Sequence, residues 1–79
     1  MTPAKKEPNM ETFAGRFAAR LRELRERAGL SRADVANAVG VAPSAISNWE
    51  NAISFPSVEK FPQIAAALKT SVRNVLPKE

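Results

Sequence analysis

Residues 31–51, SRADVANAVGVAPSAISNWEN, hold two short helical patterns separated by a Gly-Val turn at Gly40 and Val41. If the segment after the turn is a helix, Ile46 and Trp49 lie three residues apart and share one face. The opposite face is polar and uncharged, and at helical spacing it carries Ser44, Ser47, Asn48 and Asn51. Lys and Glu form helices better than Ser and Asn, so a merely solvated face would normally carry charges. The composition of this face therefore indicates a binding surface.

The small polar side chains of that face suit the edges of base pairs, with which they can hydrogen-bond in a DNA groove. The chain also has 12 Lys and Arg against 8 Asp and Glu, a net charge of +4. Basic side chains neutralise phosphates and release counterions, but many basic proteins never bind nucleic acid. The charge supports a DNA partner only together with the helix face. Both features predict a helix-turn-helix.

The residue types that the chain lacks argue against several other functions. Its 79 residues include no cysteine and no histidine. Disulfides, thiolate chemistry and the usual zinc sites are thus excluded, and so is the commonest general base at neutral pH. Asp34 and the glutamates are scattered along the sequence and form no pair of carboxylates of the kind that catalysis uses. We therefore expect no enzymatic activity, no metal and no cofactor.

The chain is long enough for one small domain. Residues 1–9, MTPAKKEPN, hold two prolines and almost nothing to bury, and they are predicted to be a disordered tail. Residues 10–79 are predicted to form the single domain. With no apolar run of membrane-spanning length and no signal peptide, we expect a cytoplasmic, nucleoid-associated protein without membrane contact.

Hydrophobic spacing predicts five helices and no strand. The first runs from Glu11 to Ala28, and its apolar stripe consists of Phe13, Phe17, Leu21, Leu24 and Ala28. Gly29 suits a left-handed end to this helix. The second helix spans Arg32–Val39 and follows Ser31, a good N-cap, with Asp34 in its first turn.

The third helix starts at Pro43, where a missing N–H costs little, and runs to about Glu50. Ser57 is predicted to cap the fourth, which turns Val58 and Phe61 inward, and Pro62 either kinks its first turn or delays its start to about Phe61. Ser71 is predicted to cap a last short helix.

The run from Phe17 to Leu76 resembles the Cro and phage-repressor type (Xre-like) helix-turn-helix domain. The resemblance rests on four elements in order: RLRELRERAGLS, ADVANAVGV, AISNWEN and FPSVEKFPQIAAAL. It implies an all-α, compact five-helix bundle of the lambda-repressor-like type, in which helices 2 and 3 form the DNA-binding unit. Helix 3, about residues 43–50, would enter the major groove while the start of helix 2 touches the DNA backbone.

The resemblance also implies site residues. Pro43, Ser44 and Asn48 stand at the base-reading positions, and Ser47 on the same face is within reach of a base or a phosphate. The residues assigned to DNA phosphates are Ser31, Arg32 and Asn51. Arg32 replaces the family's usual glutamine and could instead reach a guanine, and Asn51 could equally cap helix 3. Arg25 and Glu50 occupy the positions of a structural ion pair.

Three departures from the family pattern bear on stability and affinity. Ala52 and Lys69 replace glycines that are frequent after helices 3 and 4, which costs energy if the backbone turns left-handed there. Helix 3 also contains no Gln, Arg or Lys. We therefore expect modest specific affinity for one subunit, or partial dependence on DNA shape.

Taken together, these features predict a sequence-specific regulator of transcription, a repressor, on a pseudo-palindromic operator in double-stranded DNA. It would bind as a homodimer, with Val75, Leu76 or the loop near Phe55 as dimer contacts. The alternative is an antitoxin or another protein-interaction module of the same fold. Its contact surface for a toxin or other protein would be Phe13, Phe55 and the tail.

Overall fold

A computed structural model describes residues 11–77, and the predicted tail at residues 1–9 lies outside them. The helices are α1 (Phe13–Arg27), α2 (Arg32–Val39), α3 (Pro43–Glu50), α4 (Phe61–Ala67) and α5 (Val72–Val75), with a 3-10 turn at Val58–Lys60 before α4. Residues 11–77 contain no strand, and the predicted all-α class is confirmed. Within this range no helix combines the length and apolar character that crossing a membrane requires.

Helix α1 begins two residues later than predicted because Thr12 caps it. The Thr12 hydroxyl oxygen accepts a hydrogen bond from the Gly15 N–H at 3.0 Å. At the other end Gly29 takes the expected left-handed conformation, with φ of +73°. Ala28 lies beyond the last helical residue and is exposed, so its predicted place in the apolar stripe is wrong.

Helices α2 and α3 have the predicted bounds. Ser31 and Asp34 form a reciprocal capping box at the start of α2, and Gly40 ends the helix with φ of +86°. Pro43 occupies the first turn of α3, where the missing N–H is not needed.

The core lies where α2 packs against α3 and α4, while α1 packs against α3 and α5. Its largest fully buried apolar side chains are Phe17, Leu21, Val35, Ile46, Ile64 and Val75. Trp49 is also buried, in agreement with the prediction that it is a core ring. Since Val75 has no exposed surface, it cannot be the dimer contact that the sequence suggested.

The segment before α4 differs from the prediction. Pro62 delays the helix to Phe61, and Val58 lies in the preceding 3-10 turn with 81% of its surface exposed. Val58 is therefore not on the inner side of α4. Neither Ser57 nor Ser71 makes the predicted side-chain cap, although each precedes its helical segment in extended conformation.

Two of the departures from the family pattern lie in strained backbone. Ala52 has φ of +59° and Lys69 has φ of +58°. Both are in the left-handed region, where a Cβ costs roughly 1–2 kcal/mol relative to glycine. The turns after α3 and α4 are therefore built with residues that disfavour them.

Candidate nucleic-acid interface

The outer face of α3 carries polar groups that are open to solvent. Pro43 and Ser44 are exposed, and Ser47, Asn48 and Asn51 are half-buried. Among residues 11–77, no partner side chain or backbone group hydrogen-bonds the side chains of Ser44, Ser47 or Asn48. Their donors and acceptors are therefore available to a ligand.

The inner face of α3 is anchored in the protein. Ile46 and Glu50 have no exposed surface, and Trp49 is nearly as buried. A helix held on one side by an aliphatic, an indole and a carboxylate cannot rotate without losing these contacts. This burial sets the direction in which Ser44, Ser47 and Asn48 project.

The carboxylate of Glu50 receives a bidentate contact from Arg25. Arg25 Nε donates to Glu50 Oε2 at 2.6 Å and Nη2 donates to Oε1 at 3.1 Å, while Nη1 donates to the Leu30 carbonyl at 2.9 Å. The hydrogen bond to Glu50 raises the pKa of Arg25 above its ordinary value. This arrangement ties α1 to the last turn of α3, and hydrogen-bonded pairing is what makes a buried charge tolerable.

Arg32, the first residue of α2, also uses Glu50. Its Nε donates to Glu50 Oε1 at 3.1 Å, and 41% of its side chain is exposed. This hydrogen bond engages only Nε, so the two terminal nitrogens remain available to solvent or to an anion. Glu50 thus holds Arg32 at the surface of the helix-turn-helix.

The other two phosphate candidates are Ser31 and Asn51. The Ser31 hydroxyl oxygen accepts from the Asp34 N–H at 3.0 Å, and Asp34 Oδ2 accepts from the Ser31 N–H at 2.9 Å. The hydrogen bond from the Ser31 backbone, followed by that of its side chain, lowers the pKa of Asp34. Asn51 ends α3 through its backbone, and its Oδ1 lies 3.5 Å from Arg22 Nη2.

Arg22 is the residue of this region that the sequence interpretation missed. Its Nε lies 3.7 Å from Glu50 Oε1, so three arginines from two helices surround one carboxylate. The signal was present: Arg22 and Arg25 are three residues apart on α1 and therefore share a face. Arg20 and Arg27 are both paired with Glu23 on the surface of α1 instead.

Within 11–77 no three Asp or Glu side chains come together in a way that could hold a metal ion.

A family model for the helix-turn-helix domain matches residues 16–76. The chain belongs to this family. The match spans all five helices except the first turn of α1, and it confirms the resemblance drawn from the four sequence elements. No curated protein sequence matches the chain.

Solved structures of bacterial regulators are similar to the helix-turn-helix chain. The restriction-modification controller protein C.AhdI from Aeromonas hydrophila is 31% identical with a TM-score of 0.74, over 77% of this chain and 92% of that one. The clp gene regulator ClgR from C. glutamicum is 28% identical with a TM-score of 0.75, over 81% and 83% of the two chains.

A transcriptional regulator from Vibrio cholerae is 28% identical with a TM-score of 0.74, over 80% of this chain and 35% of that one. The family and these similarities support a DNA-binding regulator of transcription.

Proposed function

We propose that the helix-turn-helix chain is a sequence-specific repressor that inserts α3 into the major groove of double-stranded DNA. The observation that carries this proposal is the contrast between the two faces of α3. Ile46, Trp49 and Glu50 are buried, whereas the side chains of Ser44 and Asn48 have no partner within residues 11–77. A helix presented in this way can enter a groove without breaking a contact of the fold.

Each outer residue has a role that its chemistry supports. Asn48 presents an amide that can bind adenine N6 and N7 together, which makes it the main base-reading residue. Ser44 and Ser47 offer less selective hydrogen bonds, and Pro43 offers apolar contact to a thymine methyl. Ser31, Arg32 and Asn51 bind backbone phosphates, which position the helix without reading sequence.

A single recognition helix with short side chains reads few base pairs, which favours binding as a homodimer to a pseudo-palindromic operator. The exposed Ile53 and Phe55, in the loop after α3, are apolar groups that a second copy could cover. Repression then requires only occupancy of the operator, with no additional contact to polymerase.

The test is selection of bound duplexes from a random pool, followed by titration of the selected duplex and of an unrelated one. Asn48→Ala is expected to lower affinity for the selected duplex by about 1–3 kcal/mol and to leave binding to the unrelated duplex unchanged. Asn37→Ala, at an exposed position of α2, is the matched control. Equal losses on both duplexes would remove Asn48 from base reading.

The proposed contact between Arg32 and a DNA phosphate is tested by a separate measurement. Arg32→Ala is expected to weaken binding to every duplex and to reduce the slope of log K against log salt by about 0.9. An unchanged slope would exclude Arg32 from the phosphate contacts.

A second candidate function is that of an antitoxin or other protein-binding module, favoured by the aromatic surface at Phe13 and Phe55. Their ring centroids are 5.9 Å apart, and each residue is more than two-fifths exposed. Native mass spectrometry of the protein isolated from its own cells tests this alternative. A stable complex with a different protein would support it, and masses of this chain alone would contradict it.

A further inference from the structure

The group of charges around Glu50 is unbalanced. One buried carboxylate faces the guanidinium groups of Arg22, Arg25 and Arg32. Glu26 lies 3.9 Å from Arg25 and is 64% exposed, so its pairing is largely screened by solvent. The cluster therefore keeps an excess of positive charge beside the helix-turn-helix.

Arg22 is the member of this cluster whose donors are least used. The carboxylate oxygens of Glu50 accept two hydrogen bonds from Arg25 and one from Arg32. Arg22 Nε, 3.7 Å from Glu50 Oε1, is buried without a hydrogen-bond partner, and Nη2 reaches Asn51 Oδ1 only at 3.5 Å. With 29% of the side chain exposed, the guanidinium can still be approached from solvent.

The position of Arg22 links the proposed phosphate contacts. It touches Asn51 directly and is connected to Arg32 through Glu50. Side chains from three elements thus lie close to Glu50: Arg22 of α1, Arg32 at the start of α2, and Asn51 just after α3. Guanidinium groups bind the oxygens of a phosphate in pairs and fit such an anion better than an ammonium does.

We propose that Arg22 binds a phosphate of the DNA backbone together with Arg32 and Asn51, and that Glu50 positions both arginines for it. This inference rests on the proposed DNA-binding function and adds a residue from α1 to the interface. Glu50 is then a positioning residue, because it orients the two arginines and does not itself touch DNA. The phosphate would contact the terminal nitrogens of Arg22, because Nε is buried and out of reach of a ligand.

The experiment measures affinity against salt on the selected duplex and on an unrelated one, with Arg22→Gln and Arg27→Gln compared. Arg27 lies on the same helix, is 68% exposed and bonds only to Glu23, so its substitution removes the same charge away from the cluster. Arg22→Gln is expected to weaken both duplexes about tenfold and to reduce the salt slope by about 0.9. Identical behaviour of the two variants would overturn the inference.

A second experiment remains informative even if Arg22→Gln unfolds the protein. Arg22→Lys keeps the charge but loses paired hydrogen bonding, so we expect weaker binding with the salt slope preserved. Replacing backbone phosphates one at a time by methylphosphonates should reveal one position where wild type and Arg22→Lys bind equally. A difference that persists at every position would contradict the contact.

The outcomes also separate this inference from the function on which it rests. If Asn48→Ala abolishes preference for the selected duplex while Arg22→Gln changes nothing, only the role of Arg22 fails. If the wild-type protein binds no duplex even in dilute buffer, both proposals fail.

Discussion

Helices α2 and α3 are each eight residues long and each buries three residues, but they differ in local support. Helix α2 adds stabilising contacts within its own sequence. Ser31 and Asp34 satisfy the first N–H groups through the capping box, and Gly40 ends the helix in a conformation that glycine adopts without strain.

Helix α3 has almost none of this local support. No side chain caps its start, its first turn has no acidic residue, and its last turn has no basic one. The chain then leaves through Ala52 at φ of +59°. What holds α3 is the burial of Ile46, Trp49 and Glu50 against the rest of the fold. Helix α3 therefore depends on tertiary contacts on one side, which leaves its other side available for the proposed contact with DNA.

Glu50→Gln should lower the free energy of unfolding more than any other change tested, because it removes the buried carboxylate that anchors α3. Arg25 would keep its buried charge without a counter-charge, and we expect a loss of about 3–5 kcal/mol in the free energy of unfolding. Urea unfolding measures this loss. Glu23→Gln, which changes an exposed acid on α1, is the control and should cost less than about 1 kcal/mol. Similar costs for both variants would show that Glu50 does not anchor α3.

Ser31→Ala tests the local support of α2. Loss of the cap should lower the free energy of unfolding by about 1 kcal/mol. Ser44→Ala is the matched change in the first turn of α3, where no cap bond exists, and it should stay within about 0.5 kcal/mol. Equal effects in chemical unfolding would contradict the idea that only α2 is locally capped.

Ala52→Gly tests whether the backbone after α3 is strained, because glycine would relieve that strain. Glycine removes the left-handed penalty but makes the unfolded chain more flexible, so a net gain of about 0.5 kcal/mol is expected. Ala38→Gly, at an exposed position of α2, should instead cost about 0.5–1 kcal/mol. Opposite signs in thermal or urea unfolding would support the assignment, whereas a loss at Ala52 would contradict it.

The smallest expected effect is the pH dependence of the α2 cap. Because the folded pKa of Asp34 is lowered, its contribution to stability is present above the unfolded pKa, about 3.9, and is lost as the pH falls through the folded value. The difference in melting temperature between wild type and Asp34→Asn should therefore shrink below about pH 4. A constant difference between pH 6 and pH 3 would exclude this contribution.

Prediction from sequence worked where the controlling interactions are local. The bounds of α2 follow from Ser31 and Gly40, and both ends are as predicted. It worked less well where periodicity was extended past the true helix ends, as at Ala28 and Val58, which are exposed. Spacing alone does not show where the backbone leaves the helix.

In the candidate site, too, some features follow from local sequence and others do not. The polar outer face of α3 can be read from helical spacing, because side chains three and four residues apart must share a face. The pairing of Arg32 with Glu50 and the approach of Arg22 to Asn51 span 18 and 29 residues. No local pattern encodes such contacts, since they depend on how α1, α2 and α3 pack.

The amino-acid sequence by itself determined the all-α class, the helix-turn-helix and the absence of cysteine and histidine chemistry, because periodicity, caps and composition act within a few residues. Only the tertiary structure decided that Glu50 is buried among three arginines and that Arg22 lies beside the end of α3. Burial and charge pairing are properties of surfaces brought together from distant parts of the chain. They come into being only when those surfaces meet.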